Sequence, residues 1–146
     1  MPRRVWRQRS KWRILRAVEN PNGRYAAFTQ RMMDVVLAGP GHTPSELRRA
    51  VLGRAARLAG ARGGAPAPAP FGTYVDKIAQ HAYKVSDADV TALQQAGSSD
   101  DVLFEVTVAA ALGAALGRLE RGMAALRASP PDPLSSSRRG GTKGAD

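Results

Sequence analysis

The sequence contains no cysteine and only two histidines, His42 and His81. The absence of cysteine excludes disulfides, thiol redox chemistry and cysteine-ligated metals. Two imidazoles also exclude a metal site with three histidine ligands from one chain. Aromatic residues make up only 5% of the sequence, so the core has to be aliphatic and rich in alanine. Because alanine favours helices and is depleted in strands, this composition predicts packed helices rather than a sheet.

Hydrophobic runs of membrane-spanning length are also missing. The uncharged stretch 106–117 has 12 residues, whereas a membrane-spanning helix needs about 20. The N-terminus is rich in arginine and has no apolar segment of the signal-peptide type. We therefore predict a cytoplasmic protein that does not associate with membranes.

Acidic residues are scarce in the first half of the chain. Residues 1–62 hold 14 Lys and Arg against 3 Asp and Glu, a net charge of +11, whereas residues 63–128 hold 5 against 7. The basic character therefore belongs to the first half. A length of 146 residues favours one compact domain. We divide the chain into a basic N-terminal arm (1–18), an all-α domain (19–128) and a tail (129–146) that is disordered by composition.

The basic arm has two interpretations. It could bind nucleic acid, with basic side chains on phosphates and tryptophans stacked on bases. The candidate residues are Arg3, Arg4, Trp6, Arg7, Arg9, Lys11, Trp12 and Arg13. Alternatively, the arm is a disordered or partly helical extension without a binding role. No helix-turn-helix or zinc-finger motif accompanies it.

Apolar residues recur at helical spacing through most of the domain. The pattern predicts an all-α bundle of about five helices, at 24–39, 44–59, 74–83, 86–97 and 99–127. In the second of these helices, Arg48, Arg49, Arg54 and Arg57 are predicted to lie mainly outside. They form either a solvated face or a surface for phosphates or an acidic partner.

Three helix starts carry capping signals. Thr43 is a predicted N-cap, with Pro44 in the first helical position and Glu46 completing a capping box. Ser86 precedes Asp89 by three residues, and Ser98 precedes Asp101 in the same way. These two serine–aspartate pairs indicate helix starts rather than a domain repeat.

The last helix is apolar on nearly all sides between residues 102 and 116. Such a helix is buried on several sides. Gly113 and Gly117 are four residues apart, so they lie on one side of the helix and allow another backbone to approach closely. We expect this helix at the centre of the fold or in a subunit interface.

The segment Gly97, Ser99, Leu103, Glu105, Ala110 and Ala111 matches a pattern of glycine, serine, an aliphatic residue, glutamate and two alanines. On these residues, the stretch 71–127 resembles the alkylhydroperoxidase D and carboxymuconolactone decarboxylase family. The resemblance implies an all-helical fold, assembly into homo-oligomers through helices, and a small organic acid or lactone as ligand or substrate.

The same resemblance implies that thiol chemistry has been lost. The family's redox helix carries C-x-x-C-x-x-x-H, and its three positions fall here on Ala82, Val85 and Asp89. Without thiolates there is no nucleophile to attack a peroxide or a disulfide. The chain therefore resembles a cysteine-free branch of the family, for which we predict no cofactor and no metal.

Glu105, His81 and Asp89 are the candidate catalytic residues. A partly buried Glu105 would have a raised pKa and could act as a general acid or base. Alternatively, Glu105 is an anion near the positive end of its helix, paired with an arginine. His81 and Asp89 could line a pocket at the former redox position. The alternative for Asp89 is a cap partner of Ser86, and for His81 a surface or hydrogen-bonded core histidine.

Overall fold

A computed structural model describes residues 26–63, 66 and 69–128, and all regular structure in these residues is helical. The helices are α1 (Ala26–Ala38), α2 (Ser45–Leu58), α3 (Gly72–His81), α4 (Asp87–Gln95) and α5 (Asp100–Ala128). A short 3₁₀ helix, Ala82–Lys84, follows α3. The predicted all-α fold of about five helices is confirmed. The basic arm with its candidate nucleic-acid-binding residues, and the tail, lie outside the described residues.

Helix α5 is the centre of the fold, and it packs most extensively on α2 and also on α3, α1 and α4. Its small residues explain the close packing with α2. A Cβ atom added at Gly113 would overlap the carbonyl oxygen of Leu52, and one added at Gly117 would overlap that of Ala56. The prediction that these glycines admit another backbone is confirmed, and the backbone is that of α2 in the same chain.

Two apolar clusters form the core. The larger one joins α2, α3, α4 and α5, and Val51, Val75 and Val106 at its centre are fully buried. The smaller one attaches α1 through Met33 and Leu37, which contact apolar residues of α2 and α5. As expected from the composition, alanines of α5 contribute heavily to the larger cluster. Helix α1 therefore depends on a much smaller apolar contact than α2 does.

Local capping signals correctly mark the start of α4. The backbone N–H of Ser86 donates to the Asp89 carboxylate over 2.9 Å, within the predicted capping box. At the start of α5 the structure uses a neighbouring residue. Ser99, rather than the predicted Ser98, accepts a hydrogen bond from the backbone N–H of Val102.

The start of α2 differs from the prediction. Pro44 occupies the N-cap position without a side-chain cap, and no capping box with Glu46 forms. The hydroxyl of Thr43, predicted as the cap, binds Glu105 of α5 instead. Arg48 was predicted outside but is 94% buried, with a relative exposure of 6%. It points inward because its guanidinium donates to the carbonyl oxygen of Gly39 over 2.7 Å, which closes the α1–α2 connection.

Helix α5 is long and apolar enough to cross a membrane by length and composition alone. Half of its most apolar 18-residue window is buried against the other helices. Helix α5 is longer than the uncharged stretch 106–117, from which the sequence predicted no membrane-spanning segment, because the helix continues past Arg118 to Ala128.

Candidate functional site

Glu105 lies in the second turn of α5, where its carboxylate binds the loop between α1 and α2. The backbone N–H of His42 donates to one carboxylate oxygen over 2.6 Å. The backbone N–H and the hydroxyl of Thr43 donate to the other over 2.8 Å and 2.5 Å. We call this arrangement of Glu105, His42 and Thr43 the Glu105 tether. A Cβ atom at Gly41 would lie 2.5 Å from the carboxylate, so any other residue at this position would force the Glu105 side chain or the loop to shift.

The pKa of Glu105 lies below its ordinary value. This disagrees with the raised pKa of the general acid or base interpretation and agrees with the alternative, an anion near the positive end of its helix. Burial is the largest influence and raises the pKa. Hydrogen bonds from Thr43 and His42, together with the positive charge of Arg48, lower it and outweigh burial. The carboxylate is therefore ionised at neutral pH and is engaged by three donors. This geometry suits a structural anion better than a general acid.

Asp89 lies in the first turn of α4, where Lys77 of α3 and Ser86 bind its carboxylate. Lys77 donates to one of its oxygens over 2.5 Å, and Ser86 binds the other through its backbone N–H. The hydrogen bond from Lys77 is the main reason that the pKa of Asp89 is lowered, and the bonds from Ser86 add to it. The interpretation of Asp89 as a cap partner therefore has direct support, and the carboxylate also forms an ion pair.

His81 is the last residue of α3 and lies at an open cleft of about 650 Å³. The cleft lies between the ends of α2 and α3 and the second half of α5. We call it the arginine cleft; it is lined by Leu58, Ala59, Ala79, Gln80, His81, Arg118, Arg121, Gly122 and Ala125. Its lining combines apolar side chains with four residues that can donate hydrogen bonds, and three of these four can carry a positive charge.

The two arginines of the arginine cleft are held differently. Arg118 donates to the carbonyl oxygen of Ala79 over 2.7 Å, which satisfies a free carbonyl in the last turn of α3. Arg121 forms no hydrogen bond or ion pair with the part of the chain that the structure describes. No acidic residue lines the cleft. An anionic ligand could therefore pair with Arg121 without displacing an existing carboxylate.

The three predicted catalytic residues do not share one set of contacts. Glu105 binds the α1–α2 loop, Asp89 binds Lys77 and Ser86, and only His81 lines the arginine cleft. His81 also packs edge-to-face against the ring of Tyr83, with 6.0 Å between the ring centroids. The residues that the resemblance aligns with the family's redox helix, Ala82 to Asp89, do not form one continuous helix, because the 3₁₀ helix and the start of α4 interrupt them.

Sequence reasoning missed Arg118 and Arg121 as site residues. A signal was present, because Arg118 is the first charged residue after the uncharged stretch and Arg121 follows three positions later. Residues three apart lie on neighbouring positions of a helix surface. Only the packing of α3 against α5 shows that His81 comes to the same place.

Among residues 26–63, 66 and 69–128, no group of three histidine, aspartate or glutamate side chains could hold a metal ion. Comparisons with protein-family models, with curated proteins and with solved structures find no match to this chain.

Proposed function

We propose that this protein is a cysteine-free, alkylhydroperoxidase D-like and carboxymuconolactone decarboxylase-like helical protein that binds a small organic acid in the arginine cleft. The observation that carries the proposal is the guanidinium of Arg121: among the described residues it has no partner, and none of those that line the cleft is acidic. A carboxylate can accept two parallel hydrogen bonds from such a guanidinium. The apolar lining of Leu58, Ala59 and Ala79 suits the hydrocarbon part of the acid.

Thiol peroxidase chemistry is no part of the proposal, because the chain has no cysteine to form a thiolate. Binding is favoured over turnover because Glu105 is ionised and already occupied by His42 and Thr43. The raised pKa that a general acid needs at neutral pH is absent at this residue. If the protein does convert an acid or lactone, Glu105→Gln leaves that conversion in place.

Calorimetric titration with benzoate and with its neutral analogue benzamide tests the binding proposal. Benzoate is expected to bind and benzamide to bind much more weakly, since only benzoate carries the charge. Arg121→Gln should weaken benzoate binding by at least about tenfold, which corresponds to ~1.4 kcal/mol. Arg31→Gln is the matched control, because Arg31 is an exposed arginine on α1, outside the cleft. Equal binding of the two ligands, or equal effects of the two variants, would contradict the proposal.

Nucleic-acid binding through the basic first half is the second candidate, and the charge of +11 on residues 1–62 favours it. The arginines of α2 contribute less than predicted. Arg48 is buried. Arg54 donates two hydrogen bonds to the Asp76 carboxylate, over 2.9 and 2.8 Å. Arg57 is exposed and remains accessible to a phosphate. Any such binding would therefore depend mainly on the arm.

Fluorescence anisotropy with mixed-sequence DNA at several salt concentrations tests this candidate. Binding through phosphates has to weaken steeply as salt rises. Changing Arg3, Arg4, Arg7 and Arg9 to glutamine should abolish it, whereas Arg57→Gln should have a small effect. Absence of binding at low salt would rule the candidate out.

A further inference from the structure

One side of α5 is apolar and exposed. Phe104, Val108, Ala111, Ala115 and Leu119 follow one another at intervals of four, three, four and four residues, so they form one continuous stripe. Phe104 is 69% exposed and Leu119 is 48% exposed, while both alanines are exposed and Val108 is partly exposed. We call this stripe the α5 seam. It lies apart from the side that carries Gly113 and Gly117, which α2 covers.

We propose that the α5 seam is the contact surface of a symmetric homodimer, in which a second copy of this chain lies antiparallel across it. This proposal does not depend on the ligand of the arginine cleft. A homo-oligomer was expected from the resemblance, but the Gly113 and Gly117 side is occupied within the monomer. The seam is a different surface of the same helix.

The order of residue sizes along the seam makes it complementary to itself. Bulky Phe104 and Leu119 lie at its two ends, and small Ala111 and Ala115 lie between them. In an antiparallel pair centred near Ala111, Phe104 lies opposite Leu119 of the second copy and Val108 opposite Ala115. Small residues at the crossing allow the two helices to approach, and the large residues at the ends fill the space where they diverge.

The exposed apolar area also fits a second copy. On the neighbouring helix α1, Phe28 is 62% exposed and Val35 and Met32 are exposed as well. With Phe104 and Leu119 of the seam, these side chains make five large apolar groups in solvent, and exposed apolar surface of this kind marks interaction sites. A standard interface needs about 800 Å² on each partner. The seam is one face of a single helix, so we expect a weak dimer rather than an obligate one.

Charge selects the arrangement and the type of partner. No charged residue lies between Glu105 and Arg118, so the middle of the seam offers nothing to a phosphate backbone or to an acidic peptide. Asp100 and Asp101 lie before this stretch and Arg118 after it. An antiparallel pair brings the acidic end of each seam toward the basic end of the other, whereas a parallel pair would place like charges together.

The absence of native cysteine permits a direct test on the full chain by disulfide trapping. Ala111→Cys lies next to its own counterpart across the proposed two-fold axis, so mild oxidation should give a covalent dimer. Ala124→Cys is the matched control, because Ala124 is an exposed alanine of α5 on another side of the helix, and it should form no covalent dimer under the same oxidation. Equal cross-linking of the two variants, or none with Ala111→Cys, would overturn the proposal.

Sedimentation of the unmodified protein over the micromolar to millimolar range provides an independent test. Each copy carries a net charge of +10, so the dimer should strengthen as salt screens the repulsion. Ala111→Glu should weaken dimerisation at least tenfold, and mixing it with Ala111→Lys should restore a dimer. Ala124→Glu should behave like the unmodified chain. A protein that stays monomeric at all concentrations, or that floats with neutral phospholipid vesicles through this seam instead of dimerising, would show the inference to be wrong.

Discussion

Replacing Glu105 with glutamine tests the Glu105 tether as a structural element. The amide keeps one acceptor oxygen where three donors now converge, namely the N–H groups of His42 and Thr43 and the hydroxyl of Thr43. At least one backbone donor therefore loses its partner, and the remaining bonds lose their charge. A hydrogen bond to a charged group contributes about 1.5–3 kcal/mol. Because the site is only partly buried, we expect Glu105→Gln to lower the free energy of unfolding by about 2–4 kcal/mol.

Urea unfolding at neutral pH, followed by circular dichroism, measures this change. Glu46→Gln is the control, because Glu46 is an exposed glutamate in the first turn of α2 and forms no cap. Its only expected contribution is the interaction with the helix dipole, about 0.3–1 kcal/mol. If the two variants lose the same amount of stability, the three hydrogen bonds do no more than an exposed carboxylate does, and the reasoning fails.

Three further outcomes are expected. Gly113→Ala should destabilise the protein, because its Cβ would overlap the Leu52 carbonyl, whereas Gly122→Ala meets open space and should gain up to about 1 kcal/mol from helix propensity. Urea unfolding compares the two, and a stable Gly113→Ala would contradict the close helix contact. Gly41→Ala should destabilise the protein as loss of the tether does, since its Cβ would lie 2.5 Å from the Glu105 carboxylate. Thermal unfolding measures the loss of stability, and an unchanged midpoint would contradict the predicted clash. Because the folded pKa of Glu105 is lowered, its stabilisation is complete above the unfolded value of about 4.3 and is lost as pH falls through the folded value. The difference between the unmodified protein and Glu105→Gln should therefore shrink in acid, and a difference that is constant with pH would refute the assignment.

Local sequence patterns predicted the helices well, because their determinants are close together in the chain. Ser86 and Asp89 are three residues apart and form the predicted capping box. The apolar residues on nearly all sides of 102–116 predicted that α5 lies at the centre of the fold or in a subunit interface, and in the structure α5 packs on the other four helices. These signals depend on residues of one helix, and they fail where a distant residue competes, as Glu105 does for the Thr43 hydroxyl at the start of α2.

Long-range partners were not predictable in the same way. Thr43 looks like an ordinary N-cap from its neighbours, but its actual partner, Glu105, lies 62 residues away. Arg48 looks like a surface residue, but the Gly39 carbonyl draws it inward. The arginine cleft depends on how α3 crosses α5, so His81 and Arg121 meet only in the folded chain. The spacing of residues along one helix does not predict which residues of two different helices lie together in the folded chain.

The Glu105 tether has a consequence for how the protein opens. Helix α1 is attached mainly through Met33 and Leu37, so by its apolar contacts it would detach before the rest of the bundle. The loop at its end, however, is bound to the central helix through His42 and Thr43. Hydrogen exchange at the amides of His42 and Thr43 therefore reports the release of α1. Slow exchange at these amides would mean that one carboxylate makes the first helix open together with the core.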